Sequence, residues 1–244
     1  MKALILAAGY ATRLYPLTKD YPKPLLTVKG RHIIDYIVDR LEGIQEIDEI
    51  IVVTNSKFIR RFKEWRNSQD AKKRISLVDD LTKSEKDKRG AIGDIDFAIN
   101  KIKIKDDLLV IGGDNLFNGD LRKFFSSVRR HKVHPAIGVY DIKDKARASH
   151  YGIVRLDAQK KIIDFKEKPR HPRSTLVAMC LYYFPREKLG LIKDYLSDKS
   201  AKQDATGFYI DWLREKTAVY GFVFSRNWYD IGHHQNYNEA KSNF

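Results

Sequence analysis

Hydrophobic positions along the chain follow two alternating periods, and the alternation predicts strands and helices in turn. Residues 4–8 form a short apolar run closed by Gly9, and residues 49–54 carry a second run, Ile50-Ile51-Val52-Val53. Both read as strands buried on both faces. Between them, residues 32–43 place Ile34, Ile37, Val38 and Leu41 at helical spacing, which predicts a helix with one buried stripe. The alternation continues with a helix over 57–66 that turns Ile59, Phe62 and Trp65 inward, a strand at 75–78, a helix at 91–102 and a strand at 108–111. This βαβα order predicts an α/β fold with a mostly parallel sheet covered on both faces. Ligands of such sheets bind beyond the carboxyl ends of the strands, where Gly9, Gly90 and Asp114 would emerge.

After a helix over 120–131 the pattern shifts to strands, at 136–140, 152–156, 162–166 and 176–184, with turn residues between the last three. An inserted antiparallel layer covering a second substrate is the expectation. Helices over 187–196 and 209–216, a strand at 219–224 and a closing helix from Gln235 complete the chain. No internal repeat, low-complexity segment or Ser/Gly linker interrupts it, so 244 residues with 43% hydrophobic content predict a single domain.

Charge changes the picture in one respect. A formal net charge of +14 raises the question of nucleic acid, and basic residues do cluster at Arg60, Arg61, Lys63 and Arg66, at Lys72, Lys73 and Arg74, and at Arg129, Arg130 and Lys132. They are interleaved with Glu64, Asp70 and Asp79, and no recognised nucleic-acid module accompanies them. The better reading is a solvated basic surface that attracts small anionic substrates. Cys180 is the single cysteine, which excludes an intrachain disulfide and agrees with a reducing compartment. No stretch approaches the ~20 apolar residues of a membrane span, and Met1-Lys2 leads straight into a strand. The expectation is a cytoplasmic protein without a membrane partner.

The candidate chemistry begins at Gly9. There a missing side chain would let backbone amides approach a phosphate closely. Arg13 adds a fixed fork of donors and Lys23 a compact, movable charge, with Pro16, Pro22 and Pro24 stiffening the loop between and around them. The pattern G-x-x-T-R-x-x-P-x-T followed by P-K-P-L-L describes a polyphosphate cradle, and it differs from both the Walker A loop and G-x-G-x-x-G.

This segment closely resembles the signature of nucleoside-triphosphate:sugar-1-phosphate nucleotidylyltransferases, such as the glucose-1-phosphate thymidylyltransferases. The resemblance recurs at Gly90 in KRGAIGD, Asp114 in IGGDNLF, Tyr151-Gly152 in HYGIV, Glu167-Lys168-Pro169 in FKEKP, and Trp228-Tyr229-Asp230-Ile231-Gly232. It implies a three-layer Rossmann-like nucleotidyltransferase fold, with a nucleotide-binding half over about residues 1–115 and a sugar-phosphate-binding half over about 116–244. It also implies roles. Arg13, Lys23 and Lys168 would be catalytic cations; Leu6, Ala8, Gly9, Glu85, Gly90 and Asp114 would line the nucleotide; Tyr151, Gly152, Glu167 and Lys168 would hold the sugar phosphate. Asp114 and Asp230 would jointly hold Mg²⁺, a pairing that sequence separation alone cannot establish. From the residues alone, Asp114 is also good turn chemistry and Asp230 a surface acid. The implied reaction is direct displacement at the α-phosphorus of a nucleoside triphosphate by the phosphate oxygen of a sugar 1-phosphate, which needs no protein nucleophile. Cys180 and the histidines, among them His131, His134, His233 and His234, then have no catalytic part.

The chain departs from the family pattern in places. Glu85 and Lys88 stand where thymidylyltransferases carry Gln and Pro, which puts thymine selection in question and admits an amino-bearing base such as cytosine. Cys180 replaces a glycine of the sugar site, so a cytidylyltransferase acting on a non-sugar phosphate such as phosphocholine is an alternative reading. A regulatory homologue without turnover is another, opposed by the intact Arg13, Lys23, Asp114, Lys168 and Asp230. A glycosyltransferase would use a D-x-D metal motif instead. His233 replaces a threonine, and a helical extension or β-helix domain found in longer relatives is not in the sequence, which leaves the oligomeric state open.

Overall fold

The computed structural model describes residues 1–202 and 205–244. Its elements run β1 (Lys2–Leu6), β2 (Thr27–Val28), β3 (Arg31–His32), α1 (Ile33–Glu42), β4 (Glu49–Thr54), α2 (Ile59–Asn67) and β5 (Arg74–Asp79). There follow α3 (Gly90–Ile102), β6 (Leu108–Gly112), β7 (Asn115–Phe117), α4 (Leu121–Val128), β8 (Ala136–Asp141), α5 (Lys145–Ala148), β9 (Gly152–Leu156) and β10 (Ile162–Glu167). The chain closes with β11 (Leu176–Phe184), α6 (Gly190–Ser197), α7 (Thr206–Lys216), β12 (Tyr220–Phe224), β13 (Trp228–Asp230) and α8 (His234–Asn243).

Two compact units result. The first comprises Met1–Lys105, Val110–Asn118 and Asn227–Phe244, and the second Asp106–Leu109 and Gly119–Arg226. In the first unit the strands lie in the order β6-β1-β4-β5, with β1/β4 and β4/β5 parallel. All six residues of β4 are buried, as its continuous apolar run requires of a strand covered on both faces. Helix α1 opens with a capping box in which the side chains of His32 and Asp35 serve each other's backbone N–H, and it buries Ile33, Ile34, Ile37, Val38 and Leu41. In α2, Phe62 and Trp65 are buried while Ile59 is only half-buried, because the helix starts at Ile59 rather than at Lys57.

Residues 227–244 group with the first unit. The reason is β13, which pairs antiparallel with β7 through Trp228↔Phe117, Tyr229↔Leu116 and Asp230↔Asn115. Behind this pair sits a small core of Leu14, Leu26, Val28, Ile33, Leu116, Ile231, Tyr237 and Ala240. In the second unit β9 and β10 form an antiparallel hairpin, β11 pairs antiparallel with both β8 and β9, and β12 pairs parallel with β8. The antiparallel layer expected from the strand run is therefore present over β8 to β11, with one parallel strand added. The expected helix over 120–131 is α-helical only to Val128 and then tightens into a 3-10 turn at Arg129–His131; Asp120 caps it through Arg122 N.

Candidate active site

The polyphosphate-type loop leaves β1 at Leu6. Its first turn is held from below by β4 and the residue after it: Thr54 Oγ1 donates to Ala7 O at 3.2 Å and Asn55 Nδ2 donates to Ala8 O at 2.8 Å. Asn55 is fully buried, and its Oδ1 accepts the Phe58 N–H at 3.0 Å. Leu6 is half-buried, Ala8 is buried, and Gly9 is exposed with nothing within 4 Å of where a Cβ would stand. The space above Gly9 is open to a ligand. Ala11 then takes φ 49 and starts the 3-10 turn Thr12–Leu14, which drives Leu14 into the small core and leaves Arg13 exposed. Thr18 Oγ1 closes the loop by donating to Ala11 O at 2.7 Å.

Lys23 opens a second 3-10 turn, with Pro22 before it and Pro24 within it. Its ammonium donates to Asp114 Oδ2 at 2.5 Å. Burial opposes charge on Lys23, but the attraction of Asp114 and Asp230 and the hydrogen bond outweigh it, so the Lys23 pKa is raised and the ammonium stays charged. Asp114 follows Gly113, whose N–H donates to Leu6 O at 2.8 Å; a Cβ there would lie 2.7 Å from Leu6 O and 3.0 Å from Pro24 Cγ. Only glycine allows this approach. Opposite, Ile231 N donates to Asp114 O at 3.1 Å, while the Asp230 carbonyl accepts from Asn236 Nδ2 and Gly232 N, both at 2.8 Å. Trp228 Nε1 donates to the buried Asn115 Oδ1 at 2.6 Å and locks β13 to β7. Asp114 and Asp230, more than a hundred residues apart in sequence, thus act together on one ammonium group.

That donor set suits magnesium. Mg²⁺ takes one or two carboxylates and completes its shell with phosphate and water. Among the described residues no group of three or more His, Cys, Asp or Glu side chains forms a protein cage.

Glu85 lies on the loop between β5 and α3, and Gly90 at the end of that loop is the first residue of α3. Gly90 has φ +75, a conformation that glycine adopts without strain. Glu85 is exposed and paired with Lys88. Asp87 ties the loop to itself by accepting from Lys83 N at 2.9 Å and Ser84 N at 2.7 Å.

The remaining site residues belong to the second unit. Gly152 opens β9 opposite Glu167 of β10, and a Cβ on Gly152 would lie 2.5 Å from Phe165 Cζ and 3.0 Å from Glu167 Oε2. The Glu167 side chain is only 8% exposed, and burial raises its pKa against the opposing pull of Lys168. Gly207, in the first turn of α7, sits so close that its Cβ would stand 1.8 Å from Glu167 Oε2. Half-buried Tyr151 accepts the Lys168 N–H on its carbonyl at 3.0 Å, while Lys168, at φ 45, extends an exposed ammonium whose Nζ is 3.8 Å from Glu167 Oε1. Cys180, at φ 50, lies where the β11/β8 register shifts between Ala178 and Tyr182. Asn55, Gly113 and Gly207 escaped the sequence reading. Polar residues directly after IIVV, the doubled glycine of IGGD and the glycine of ATGFY were the available signals.

Comparison with known proteins places the chain in a family and shows its fold. A family model described as nucleotidyl transferase matches residues 2–244. The bifunctional protein GlmU of Methanocaldococcus jannaschii is 28% identical over 234 residues, covering 95% of this chain and 51% of that protein. A Sulfolobus acidocaldarius protein to which mannose-1-phosphate guanyltransferase activity is ascribed is 29% identical over 235 residues, covering 95% of this chain and 60% of that protein. The chain thus spans about half the length of the curated relatives it matches. Among solved structures, a UDP-glucose pyrophosphorylase complexed with UDP-glucose superposes with a TM-score of 0.80 at 20% identity, covering 99% of this chain and 97% of that one, a likeness of fold.

Proposed function

Because the chain belongs to the nucleotidyl transferase family, we propose that it transfers a nucleotidyl group from a nucleoside triphosphate to a sugar 1-phosphate, releasing pyrophosphate. The observation that carries this reading is the Lys23 ammonium held on Asp114 at 2.5 Å and kept charged by Asp114 and Asp230 together, in the same unit as the open turn at Gly9. A cation and two carboxylates so arranged suit a triphosphate and its divalent ion.

In this reading the chain works as one nucleotidyltransferase domain, its first unit holding the triphosphate and its second the sugar phosphate. The open turn at Ala8 and Gly9 offers backbone amides to phosphate oxygens, and exposed Arg13 supplies its guanidinium fork to the departing pyrophosphate. Lys23 neutralises the reacting phosphate as charge builds there. In the second unit, Lys168 meets the anionic sugar phosphate, and Glu167, packed against Gly152, accepts hydrogen bonds from sugar hydroxyls beside Tyr151. The attacking oxygen is already an anion, so alignment and charge neutralisation suffice. Asp114 and Asp230 would hold magnesium, which when bound supplies Lewis-acid polarisation of a phosphoryl oxygen. No helix among the described residues is long and apolar enough to cross a membrane; a cytoplasmic location fits the substrates, all of them small phosphorylated metabolites.

The test is a pyrophosphate-release screen of nucleoside triphosphates against sugar 1-phosphates and phosphocholine, which reads base and acceptor together. Turnover with CTP and phosphocholine alone would replace the sugar reading by the cytidylyltransferase one. Asp114→Asn and Lys168→Ala should each lower kcat at least ~100-fold, the effect of removing one preorganised charge from a transition state. Full turnover in either variant overturns the assignment of that residue.

A further inference from the structure

The two glycines read as lining the nucleotide, Gly9 and Gly90, lie on the loop that leaves β1 and the loop that enters α3, and one chain of hydrogen bonds joins the residues beside them. It starts at Tyr10. Tyr10 is 4% exposed, and its ring packs near that of buried Phe58, with centroids 6.5 Å apart. Packing alone would be served by phenylalanine, whereas a buried hydroxyl has to find a partner. Tyr10 OH finds one 3.1 Å away at Thr82 Oγ1.

The direction of that bond follows from the other side of Thr82. Thr82 Oγ1 donates its single proton to Asp80, at 2.8 Å from Oδ1 and 3.0 Å from Oδ2, so toward Tyr10 it can only accept. Burial raises the Tyr10 pKa above its ordinary 10.0, which keeps the donated proton on the phenol. Thr82 and Asp80 are themselves buried, at 4% and 1% exposure. Thr82 N donates to Asp80 Oδ1 at 2.7 Å, and Thr82 O accepts from Ser56 N at 2.9 Å. Asp80 N donates to Thr54 O at 2.8 Å, and the Asp80 carbonyl accepts at 2.7 Å from Nε of Arg89, the residue directly before Gly90. Arg89 in turn lays its guanidinium over the Phe97 ring of α3, 4.3 Å from the centroid. The chain runs from one glycine to the other.

We propose that Tyr10 and Thr82 are positioning residues for nucleotide binding, their hydroxyls forming a bridge that holds the open turn at Gly9 in register with the loop that enters α3 at Gly90. The role in binding rests on the function proposed above; the bridge between the loops does not. Thr54 and Asn55 hold the carbonyls of Ala7 and Ala8 from below, and Tyr10 adds a tie toward Gly90. A ligand shared by two loops binds best when their spacing is set beforehand, because it then bears none of the cost of ordering them. Tyr10→Phe removes the hydroxyl and keeps the ring beside Phe58. Thr82→Val keeps the shape and removes the hydroxyl, and Thr82→Ser keeps the hydroxyl.

The experiment begins with the ligand-free protein. Hydrogen exchange read by mass spectrometry should run about fivefold faster in Tyr10→Phe than in the wild type over residues 7–14 and 79–90, the equilibrium factor of one net hydrogen bond, with α1 unchanged as the internal control. Unchanged exchange in both segments overturns the bridge. Calorimetric titration with magnesium nucleoside triphosphate should give a Kd about fivefold higher in Tyr10→Phe and in Thr82→Val, and close to the wild-type value in Thr82→Ser. The double variant should bind no more weakly than Thr82→Val, since the same bond is lost either way. In turnover the loss should fall on the triphosphate KM, with kcat and the sugar-phosphate KM within about twofold of wild type. An unchanged Kd in Tyr10→Phe beside faster exchange overturns the positioning role, and equal losses in Thr82→Ser and Thr82→Val overturn the part of the Thr82 hydroxyl. Should Thr82→Val not fold, Tyr10→Phe decides alone. A wild type that binds no triphosphate overturns the proposed function, while the exchange data still decide the bridge.

Discussion

At the scale of single residues, two glycines do what no motif comparison assigns them. Gly207 leaves room for the Glu167 carboxylate, and the Cβ of an alanine there would collide with Glu167 Oε2 at 1.8 Å. Gly207→Ala should force Glu167 from its place at a cost of roughly 1–3 kcal/mol, the usual range for overpacking, read as a lower urea midpoint at unchanged m-value. A matching rise in KM for the sugar phosphate, with the triphosphate KM unmoved, would tie the shift to Glu167. Gly113 is comparable, since its Cβ would stand 2.7 Å from the Leu6 carbonyl that its own N–H now reaches. Gly113→Ala should move Asp114 off Lys23 and lower turnover more than stability.

At the scale of elements, the β1 turn depends on a residue outside it. Asn55 is bonded to Ala8 O through Nδ2 and to Phe58 N through Oδ1, both in a buried setting. Asn55→Ala leaves the Ala8 carbonyl without its side-chain donor, while Phe58 N keeps the backbone carbonyl of residue 55 at 3.1 Å, and should cost about 1–3 kcal/mol, measured by denaturant unfolding. If the Gly9 turn is the phosphate cradle, triphosphate KM should rise in the same variant. The pairing of β7 with β13 is equally consequential. Three register pairs and the Trp228–Asn115 hydrogen bond suffice to bring Asp230 beside Asp114. The helices and longer strands were legible in the sequence because each presents at least one full period of buried positions: 49–54, 152–156 and 176–184 coincide with β4, β9 and β11. β7 and β13 were not, because a three-residue strand shows no periodicity.

At the scale of the whole molecule, stability should be bounded by pH on both sides. Asp48 and Glu49 are lowered from 3.8 and 4.5; burial opposes this, but the hydrogen bonds and charge of Lys2, with the amino terminus for Asp48 and Ser76 for Glu49, prevail. Their contribution is present above those values and lost as pH falls through the lowered ones. Asp94, raised from 3.8 to about 8 by burial and Asp80, contributes stability that is complete below its unfolded value and disappears as pH rises through about 8; Glu167, raised by burial, adds in the same direction. Thermal unfolding across pH should therefore show Tm falling in acid and falling again as pH rises from about 4 to about 8, with this second fall reduced in Asp94→Asn. An identical second fall in that variant would remove Asp94 from the account. The net charge of +14 adds a second global expectation. Triphosphate KM should rise several-fold between about 50 mM and about 500 mM salt while kcat changes little, because screening weakens the attraction of an anion to a basic surface.

Hydrophobic periodicity alone determined the order of the longer strands and helices, since burying a face is a local demand on neighbouring residues. The spacing of Gly9, Arg13 and Lys23 likewise singled out one loop as a candidate cradle for anions, because those groups lie on a single short segment. What the sequence could not decide was which distant groups meet. Asp230 reaches the ammonium of Lys23 only through the return of β13. Gly207 and Glu167 become neighbours only when α7 packs on β10, and the Asp94 carboxyl is pushed up only where folding buries it near the charge of Asp80. Carboxylate chemistry depends on burial and on opposing charge, and both are properties of the packed chain.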